Sequence, residues 1–263
     1  MIFKALVLGD IVGRPGREVV EKQLSAFVQQ EGIHFTVANG ENASGGSGIT
    51  PEVAEKLFAC GLDVITTGDH VWKKKEVIQL LESEPRIIRP ANYSPMALGR
   101  GWTVVESRCG IPVGVINLLG RVFMQPMDCP FRAVDEVLKE VSKKTKIIIV
   151  DMHAEATSEK IAMGWYLDGR VSAVVGTHTH VQTADERILP NGTAYITDLG
   201  MTGPYKSVLG RDINRVLKAI ITQMPTRFEV AEKDVRMSGA VITVDSSTGK
   251  ALEVKRLVVH EDH

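Results

Sequence analysis

Short apolar runs, each followed by polar residues, constrain the fold of this chain more than any other feature. Most of the runs are apolar on consecutive positions rather than alternate ones, a pattern typical of strands that are buried on both faces. The runs cover residues 3–8, 35–37, 64–66, 102–105, 113–116, 147–150 and 171–175. Helical patterns lie between several of them, at residues 16–30, 74–81, 131–143, 158–167 and 211–222. Strands that alternate with helices predict an α/β fold.

One further helix has boundaries that can be read directly from the sequence. Thr50 suits the N-cap, Pro51 the first helical position, and Gly61 the position just past the end. Near the C-terminus, two alternating runs flank residues 246–249 and predict a β-hairpin at about 235–260. No Pro/Gly/Ser-rich linker divides the chain, so we expect one domain over residues 1–263.

The charge and cysteine content argue against several classes of protein. The chain has 31 Lys and Arg residues and 32 Asp and Glu residues, which gives a formal charge of −1. It therefore lacks the overall positive charge that drives nonspecific binding to nucleic acid or to membrane surfaces. Cys60, Cys109 and Cys129 are odd in number and lack C-x-x-C spacing, which argues against a disulfide framework. No run approaches the ~20 apolar residues of a membrane span. We therefore expect a cytoplasmic protein, and the sequence leaves assembly into a homo-oligomer open.

The polar residues at the strand ends carry the strongest functional signal. In a sheet of mostly parallel strands the carboxyl ends lie along one edge, where open α/β folds place their binding crevices. Residues that are scattered in the sequence can therefore converge there. The five polar stretches are Gly9-Asp10, Asn39-Gly40-Glu41-Asn42, Thr66-Thr67-Gly68-Asp69-His70, Asp151-Met152-His153 and Gly176-Thr177-His178-Thr179-His180.

Each stretch, taken alone, also has an ordinary structural explanation. Asp10 could cap a turn, and His153 could be a hydrogen-bonded histidine of the core. Glu41, beside a glycine, could belong to a simple turn. His178 and His180 are harder to explain in this way, because residues two apart project from one side of an extended segment and suit metal binding. Five such coincidences together favour a shared site.

The donor types point to a centre with two metal ions. Carboxylate, amide and imidazole donors without thiolates suit first-row ions such as Fe, Mn, Zn, Co or Ni. The candidate ligands are Asp10, Glu41, Asn42, Asp69, His153, His178 and His180. These are too many for one tetrahedral ion, whereas two ions ~3.5–4 Å apart can generate hydroxide and hold a phosphoryl group. His70 then remains without a metal and is able to donate a proton.

These motifs, in this order, resemble the calcineurin-like metallophosphoesterase superfamily and, more closely, the bacterial YmdB-type phosphodiesterases. The resemblance extends to about Gly210, and it implies a two-sheet β-sandwich flanked by helices in a four-layer αββα arrangement. It rests on GDIVGRPGR, NGENASGGSGI, TTGDHVW, RPANY, NLLGRVFM, DMHAEATSEK, GTHTHVQTAD and TDLGMTGPYKSVLG.

The resemblance also implies a binuclear centre that often contains iron. We expect two ions per chain, iron as Fe²⁺ or Fe³⁺, with Mn and Zn as alternatives. The implied ligands are Glu41 as the bridge, Asp10, Asn42 and His180 for one ion, and Asp69, His153 and His178 for the other. His70 matches the proton donor. The implied reaction is hydrolysis of a small cyclic nucleotide phosphodiester, usually a 2′,3′-cyclic nucleotide, with 3′,5′-cyclic AMP as a further substrate.

Two positions depart from the patterns of these relatives. Superfamily members commonly begin with Asp-x-His, whereas residues 10–12 are Asp-Ile-Val, and Asn42 fills the vacancy as it does in the narrower family. Asp69 stands where the family has Asn. An ionised Asp69 adds a negative charge to the ligand shell, so we expect it to favour a higher-valent ion such as ferric iron.

Contacts to the substrate are less well defined. The run Lys73-Lys74-Lys75 follows the TTGDHVW motif, and although such a run is usually a solvated face, it could steer a phosphate. The candidate substrate contacts are Arg14, Lys73, Arg121, Thr202 and Gly203.

Three other functions remain open at this point. A nucleotide-binding module of the Rossmann type would use Gly9, Gly13 and Gly16, but their spacing differs from G-x-G-x-x-G. A barrel amidohydrolase also uses an H-x-H motif, although it usually lies at the first strand. A non-catalytic regulator or scaffold could retain the metal site without the reaction.

Overall fold

The structure of the chain is a computed structural model that describes residues 1–261. Its strands, in chain order, are β1 (Ile2–Leu8), β2 (Asp10–Ile11), β3 (Phe35–Asn39), β4 (Val64–Thr66), β5 (Trp102–Glu106), β6 (Pro112–Leu119), β7 (Ile147–His153), β8 (Ala173–Thr177), β9 (Arg187–Ile188), β10 (Ala194–Ile196), β11 (Met201–Pro204), β12 (Val235–Asp245) and β13 (Ala251–His260). The helices are α1 (Gly13–Glu31), α2 (Pro51–Ala59), α3 (Val77–Ser83), α4 (Pro130–Val141), α5 (Thr157–Leu167) and α6 (Ile213–Thr222).

The strands form two mixed sheets. The first has the order β2-β11-β12-β1-β3-β4, and β13 pairs with β12. Within it β1, β3 and β4 run parallel to one another, while β12 is antiparallel to β1. The second sheet has the order β5-β6-β7-β8-β10-β9, with β6, β7, β8 and β10 parallel and an antiparallel strand at each edge. Each sheet therefore presents several carboxyl ends at one edge.

The main hydrophobic core lies between the two sheets. Strand β1 contributes Phe3, Ala5 and Val7 to this core, while the alternate residues Leu6 and Leu8 belong to a second core on the outer face. The strand is thus buried on both faces, which explains why its apolar residues are consecutive rather than alternating.

Helices cover both outer faces of the sandwich. The second core joins the first sheet to α1, α2 and α3, and a third core joins the second sheet to α4 and α5. Val20 of α1 and Met163 of α5 are fully buried in these outer layers. The layers run helix, sheet, sheet, helix, which confirms the predicted α/β sandwich of αββα type.

Helix α6 differs from the other helices because it buries little of its surface. Asp212 caps its N-terminus by accepting a hydrogen bond from the Arg215 backbone amide at 3.0 Å. Val216 is buried, whereas Ile220 and Ile221 are exposed.

Among residues 1–261, no helix combines the length and the apolar character that crossing a membrane requires.

Several boundaries differ from those expected. Helix α2 begins at Pro51 as predicted, but the Thr50 side chain makes no capping bond. The helix expected at 74–81 begins later and is α3, at Val77–Ser83, and a separate 3₁₀ turn at Val71–Lys73 precedes it. Strands β12 and β13 pair as an antiparallel hairpin. The single domain expected over 1–263 stays a prediction, and its last two residues lie outside the described range.

Candidate metal centre

The polar strand ends of both sheets meet at one place. Asp10 follows β1, Glu41 follows β3, and Asp69 follows β4, all in the first sheet. His153 ends β7, and His178 follows β8, both in the second sheet. The convergence predicted from the sequence assumed one sheet edge, whereas the structure uses the facing edges of two sheets.

Four of the predicted ligands form a compact cluster. Glu41, Asp69, His153 and His178 each offer one ligand atom, and these atoms all lie within 4.8 Å of one another. His153 Nε2 is 3.3 Å from both Glu41 Oε1 and Asp69 Oδ1. His178 Nδ1 lies 3.0 Å from His153 Nε2. Two carboxylates and two imidazoles at these distances suit an ion such as iron, manganese or zinc.

A second group of donors borders this cluster. Asp10 Oδ1 is buried and accepts no hydrogen bond from any group in residues 1–261, although His180 Nε2 is 3.7 Å away. A buried carboxylate oxygen without a partner is costly, so this atom fits a position beside a cation. Glu41 Oε1 lies 3.1 Å from Asn42 Nδ2 and 3.3 Å from His153 Nε2, and it therefore borders both groups.

The amide of Asn42 faces this second group through its nitrogen. Asn42 Nδ2 lies 3.3 Å from His180 Nε2, while Asn42 Oδ1 lies 2.8 Å from His70 Nδ1. An amide nitrogen does not ligate a cation, whereas the oxygen does. A half-turn of the amide would exchange the two atoms, so the role of Asn42 as a ligand stays a prediction.

The backbone of the GTHTH motif is extended only as far as Thr177, and the expectation of one extended segment through both histidines was wrong. Strand β8 ends at Thr177, and His178 and His180 have φ angles of 95° and 64°. Residues other than glycine rarely adopt this left-handed backbone conformation, and such backbone strain is typical of functional sites. The two imidazoles reach the centre because the chain turns at each histidine.

A buried ion pair holds this strained turn. Asp198 accepts hydrogen bonds from the Thr179 backbone amide at 3.2 Å and from its hydroxyl at 2.6 Å. Lys160 Nζ donates to Asp198 Oδ2 at 2.7 Å, and both side chains are only 1% exposed. Because removing one partner would leave an unpaired buried charge, the pair fixes the loop that carries His178 and His180.

A layer of polar residues behind the ligands orients His153. Asp151 accepts hydrogen bonds from the hydroxyls of Thr66 and Thr177 and from the amide of Asn39. His153 Nδ1 lies 2.8 Å from Thr177 Oγ1 and 3.2 Å from Asn39 Nδ2, so its Nε2 is the atom that faces the cluster. Sequence reasoning missed this role for Asn39, Thr66 and Asp151, although all three are polar residues at the ends of buried strands.

The protein groups alone shift the ionisation of the ligands. Burial acts to raise the pKa of Glu41, but the charge of His153 and a hydrogen bond from it leave that pKa well below its usual range. Burial likewise opposes protonation of His153, yet Glu41 leaves its pKa well above the usual value. Burial and the charge of His153 lower the pKa of His178 to about 4. Burial also acts to raise the pKa of Asp69, but the hydrogen bond from His153 leaves that pKa below its usual value, which favours the carboxylate form.

Gly68 allows the GDH motif to approach the cluster. A Cβ at this position would lie 2.3 Å from His153 Nε2 and 2.4 Å from Glu41 Oε2, closer than any side chain tolerates. The absence of a side chain at residue 68 therefore makes room for two of the candidate ligands.

His70 stands beside the four-residue cluster without belonging to it. Its backbone amide donates to Glu41 Oε2 at 3.0 Å, and its side chain is 28% exposed. Nδ1 is engaged with Asn42 Oδ1, while Nε2 is 3.7 Å from Asp69 Oδ2. Nδ1 also lies 3.3 Å from Glu41 Oε1, and this side-chain hydrogen bond raises the pKa of His70, which favours its protonated form.

A cavity of about 380 Å³ opens beside these residues. This volume lies within the ~300–1,000 Å³ range of small-ligand sites. Its lining includes Glu41, Asn42, His70, His178 and His180, together with Val208, Leu209, Arg211, Val216 and Phe228. The second set was missed from the sequence, because these residues lie in or beyond the last recognisable motif and form no pattern of their own.

Arg211 is a cation within this lining. Its guanidinium donates to the backbone carbonyls of Gly45 and Gly46. In the part of the chain that the structure describes, no carboxylate forms an ion pair with it. Its charge is therefore available to an anionic ligand in the cavity.

The five predicted substrate contacts do not line this cavity. Arg14 is exposed, and its guanidinium pairs with Glu18 and Glu232. Lys73 and Arg121 are also exposed. Thr202 and Gly203 are buried in β11, where sheet pairing and the hydrogen bond from Thr202 to the Ser238 carbonyl occupy them. The structure thus places none of the five in the cavity lining, and contacts from them to a substrate stay a prediction.

Comparison with known proteins places the chain in a defined group. The family model described as YmdB-like protein matches residues 6–257. The chain is 49% identical over 261 residues to a Bacillus subtilis (strain 168) protein named 2′,3′-cyclic-nucleotide 2′-phosphodiesterase, and the match covers 99% of this chain and 98% of that protein.

Two solved structures share the fold over nearly the whole chain. A hypothetical protein from Thermus thermophilus superposes with a TM-score of 0.92 at 39% identity, over 99% of this chain and 100% of that one. A protein described as a novel phosphatase from Mycoplasma pneumoniae also gives a TM-score of 0.92, at 32% identity, over 100% and 95% of the two chains.

The crowding at Gly68 leads to a prediction for metal binding. Gly68→Ala should weaken metal affinity by at least roughly 10- to 100-fold, because the added Cβ displaces two ligands. Metal content after dialysis and calorimetric titration would measure the change.

Gly45→Ala is the matched control. A Cβ at Gly45 would meet no atom within 4 Å, and only its φ of 65° opposes a side chain, so this variant should lose some stability and keep its metal affinity. Wild-type affinity in Gly68→Ala would contradict the placement of the cluster.

Proposed function

The chain belongs to the YmdB-like protein family, and on that premise we propose that it is a metal-dependent phosphodiesterase that hydrolyses cyclic nucleotides. The observation that carries the proposal is the meeting of two donor groups around Glu41 beside a cavity of small-ligand size. The name of the Bacillus subtilis relative supports 2′,3′-cyclic nucleotides as the substrates, with 3′,5′-cyclic AMP as a second candidate.

The donor set supports a centre of two ions per chain. We propose Glu41 as the shared ligand, with Asp10, Asn42 and His180 on one side and Asp69, His153 and His178 on the other. When bound, such ions supply a deprotonated water near neutral pH and positive charge beside the phosphoryl oxygens. Iron is the proposed metal, with Mn or Zn as alternatives, because Asp69 adds a third carboxylate to Asp10 and Glu41, and this extra negative charge suits a ferric ion.

His70 is the proposed general acid. Its Nδ1 faces the Asn42 amide, which can hydrogen-bond with it in either orientation, so Nε2 is the atom left to donate a proton. Hydrolysis forms a bond from the water oxygen to phosphorus and breaks the bond from phosphorus to a ribose oxygen. The proton from His70 neutralises that leaving oxygen, and cleavage at the 2′ position of a 2′,3′-cyclic nucleotide yields the nucleoside 3′-phosphate.

A direct assay tests the proposed activity. The purified protein, loaded with iron or manganese, should convert 2′,3′-cyclic AMP to adenosine 3′-phosphate, and a chelator should abolish the conversion because the ions supply the nucleophile. Chromatography of the products measures both results. Tight metal binding without hydrolysis of either 2′,3′- or 3′,5′-cyclic AMP would instead indicate a non-catalytic regulator.

The role of His70 is testable with one substitution. His70→Ala should lower kcat by about 10²–10⁴-fold, the usual contribution of a positioned acid, while the metal content stays at the wild-type level. His34→Ala is a suitable control, since His34 stacks on Phe3 and is not part of the cavity lining. Full turnover in His70→Ala would refute the assignment.

A further inference from the structure

The cavity beside the metal centre has an apolar wall that the proposed chemistry does not use. This wall consists of Val208, Leu209, Val216 and Phe228, and all four come from the segment between β11 and β12. Val216 is buried, whereas Leu209 and Phe228 are partly open to solvent. Hydrolysis of a phosphodiester needs charge and a proton, so an apolar surface at this position indicates contact with another part of the substrate.

Phe228 is the only phenylalanine, tyrosine or tryptophan among the residues that line this cavity. It is 46% exposed, although phenylalanine is usually buried. Within residues 1–261 its ring stacks on no other aromatic ring. Nearly half of its surface is therefore open to solvent, in a cavity whose lining also contains His178 and His180.

The backbone next to Phe228 is held in place. The Asp212 amide donates to the Glu229 carbonyl at 2.9 Å, and the Ala231 amide donates to the Gly210 carbonyl at 2.9 Å. Arg215 adds an ion pair with Glu229 at 2.8 Å. The ring is thus carried by an anchored segment, and binding against it does not require ordering of a loose loop.

We propose that Phe228 is the residue on which the nucleobase of the substrate stacks, with Leu209 and Val216 as its apolar surroundings. This inference rests on the proposed phosphodiesterase function and adds the recognition of a nucleoside to it. Arg211, in the same lining and without a carboxylate partner in residues 1–261, suits the phosphate end of the ligand.

Stacking also sets the expected selectivity. Every nucleobase has a π face, so recognition by an aromatic ring tolerates different bases. Among residues 1–261, Glu155 is the one carboxylate besides Glu41 in the lining, and it is engaged with His178 Nε2 at 3.2 Å. We therefore expect the four 2′,3′-cyclic nucleotides to differ by no more than about tenfold in kcat/KM.

The test compares a substrate that has a base with one that lacks it. The pair is 2′,3′-cyclic AMP and methyl ribofuranoside 2,3-cyclic phosphate, each assayed with the metal-loaded full-length protein. Wild type should favour the nucleotide by about 5- to 150-fold in kcat/KM, the range expected for stacking of one base. Phe228→Ala should lose this preference because kcat/KM falls for the nucleotide and stays unchanged for the substrate without a base. Phe228→Trp should retain the preference.

Ile220→Ala provides the control for a competing explanation. Ile220 is 67% exposed on α6 and does not line the cavity, so its loss should change neither substrate. If Phe228 and α6 instead form a contact between copies of the chain, both variants should change the oligomeric state and lower activity on both substrates equally. That outcome, or an absent base preference in wild type, would overturn the proposal.

A binding measurement separates this inference from the proposed activity. Adenosine 3′-phosphate should bind to the metal-loaded wild type more tightly than ribose 3-phosphate, and Phe228→Ala should remove the difference. If wild type binds in this way without hydrolysing the cyclic substrate, the proposed activity is wrong and the stacking site is supported. If both phosphates bind equally while hydrolysis proceeds, the stacking site fails alone.

Discussion

The buried carboxylate of Glu41 is the group on which the arrangement of the site depends. A charge that is removed from water must be compensated, and Glu41 is compensated by His153, by the His70 amide and by the cations that its neighbours are suited to hold. Gly68 leaves the room that this approach requires, and Asp10 leaves a second buried oxygen without a partner in residues 1–261. The same carboxylate therefore joins two donor groups into one centre.

The sandwich is what brings these groups together. Asp10, Glu41 and Asp69 come from the first sheet, while His153 and His178 come from the second, so neither sheet alone holds a complete centre. The core between the sheets fixes their separation, and the helices outside cover the outer faces of the central strands. Residues behind the ligands then fix the ligand side chains. Asp151 belongs to the polar layer that orients His153, and the Lys160–Asp198 pair holds the turn that carries His178 and His180.

Much of this architecture can be predicted from the sequence, because the strands are continuous apolar runs and the ligands follow them directly. The left-handed backbone at His178 and His180 could not be predicted, since it depends on the tertiary contacts of Asp198 rather than on local propensity. The distribution of strands between two sheets was implied only by the resemblance, because periodicity does not specify pairing. The cavity wall around Phe228 was missed for a similar reason: its residues lie between short elements and carry no motif.

Crystal diffraction from the metal-loaded protein, recorded at the Fe, Mn and Zn absorption edges, tests the central claim most directly. The account predicts two anomalous peaks ~3.5–4 Å apart on either side of Glu41, one in contact with Asp10 and His180 and the other with His153 and His178. The strongest signal should be that of iron, in keeping with the third carboxylate that Asp69 adds to the ligand set. A single ion among Glu41, Asp69, His153 and His178, with Asp10 still lacking a partner, would contradict the two-ion centre.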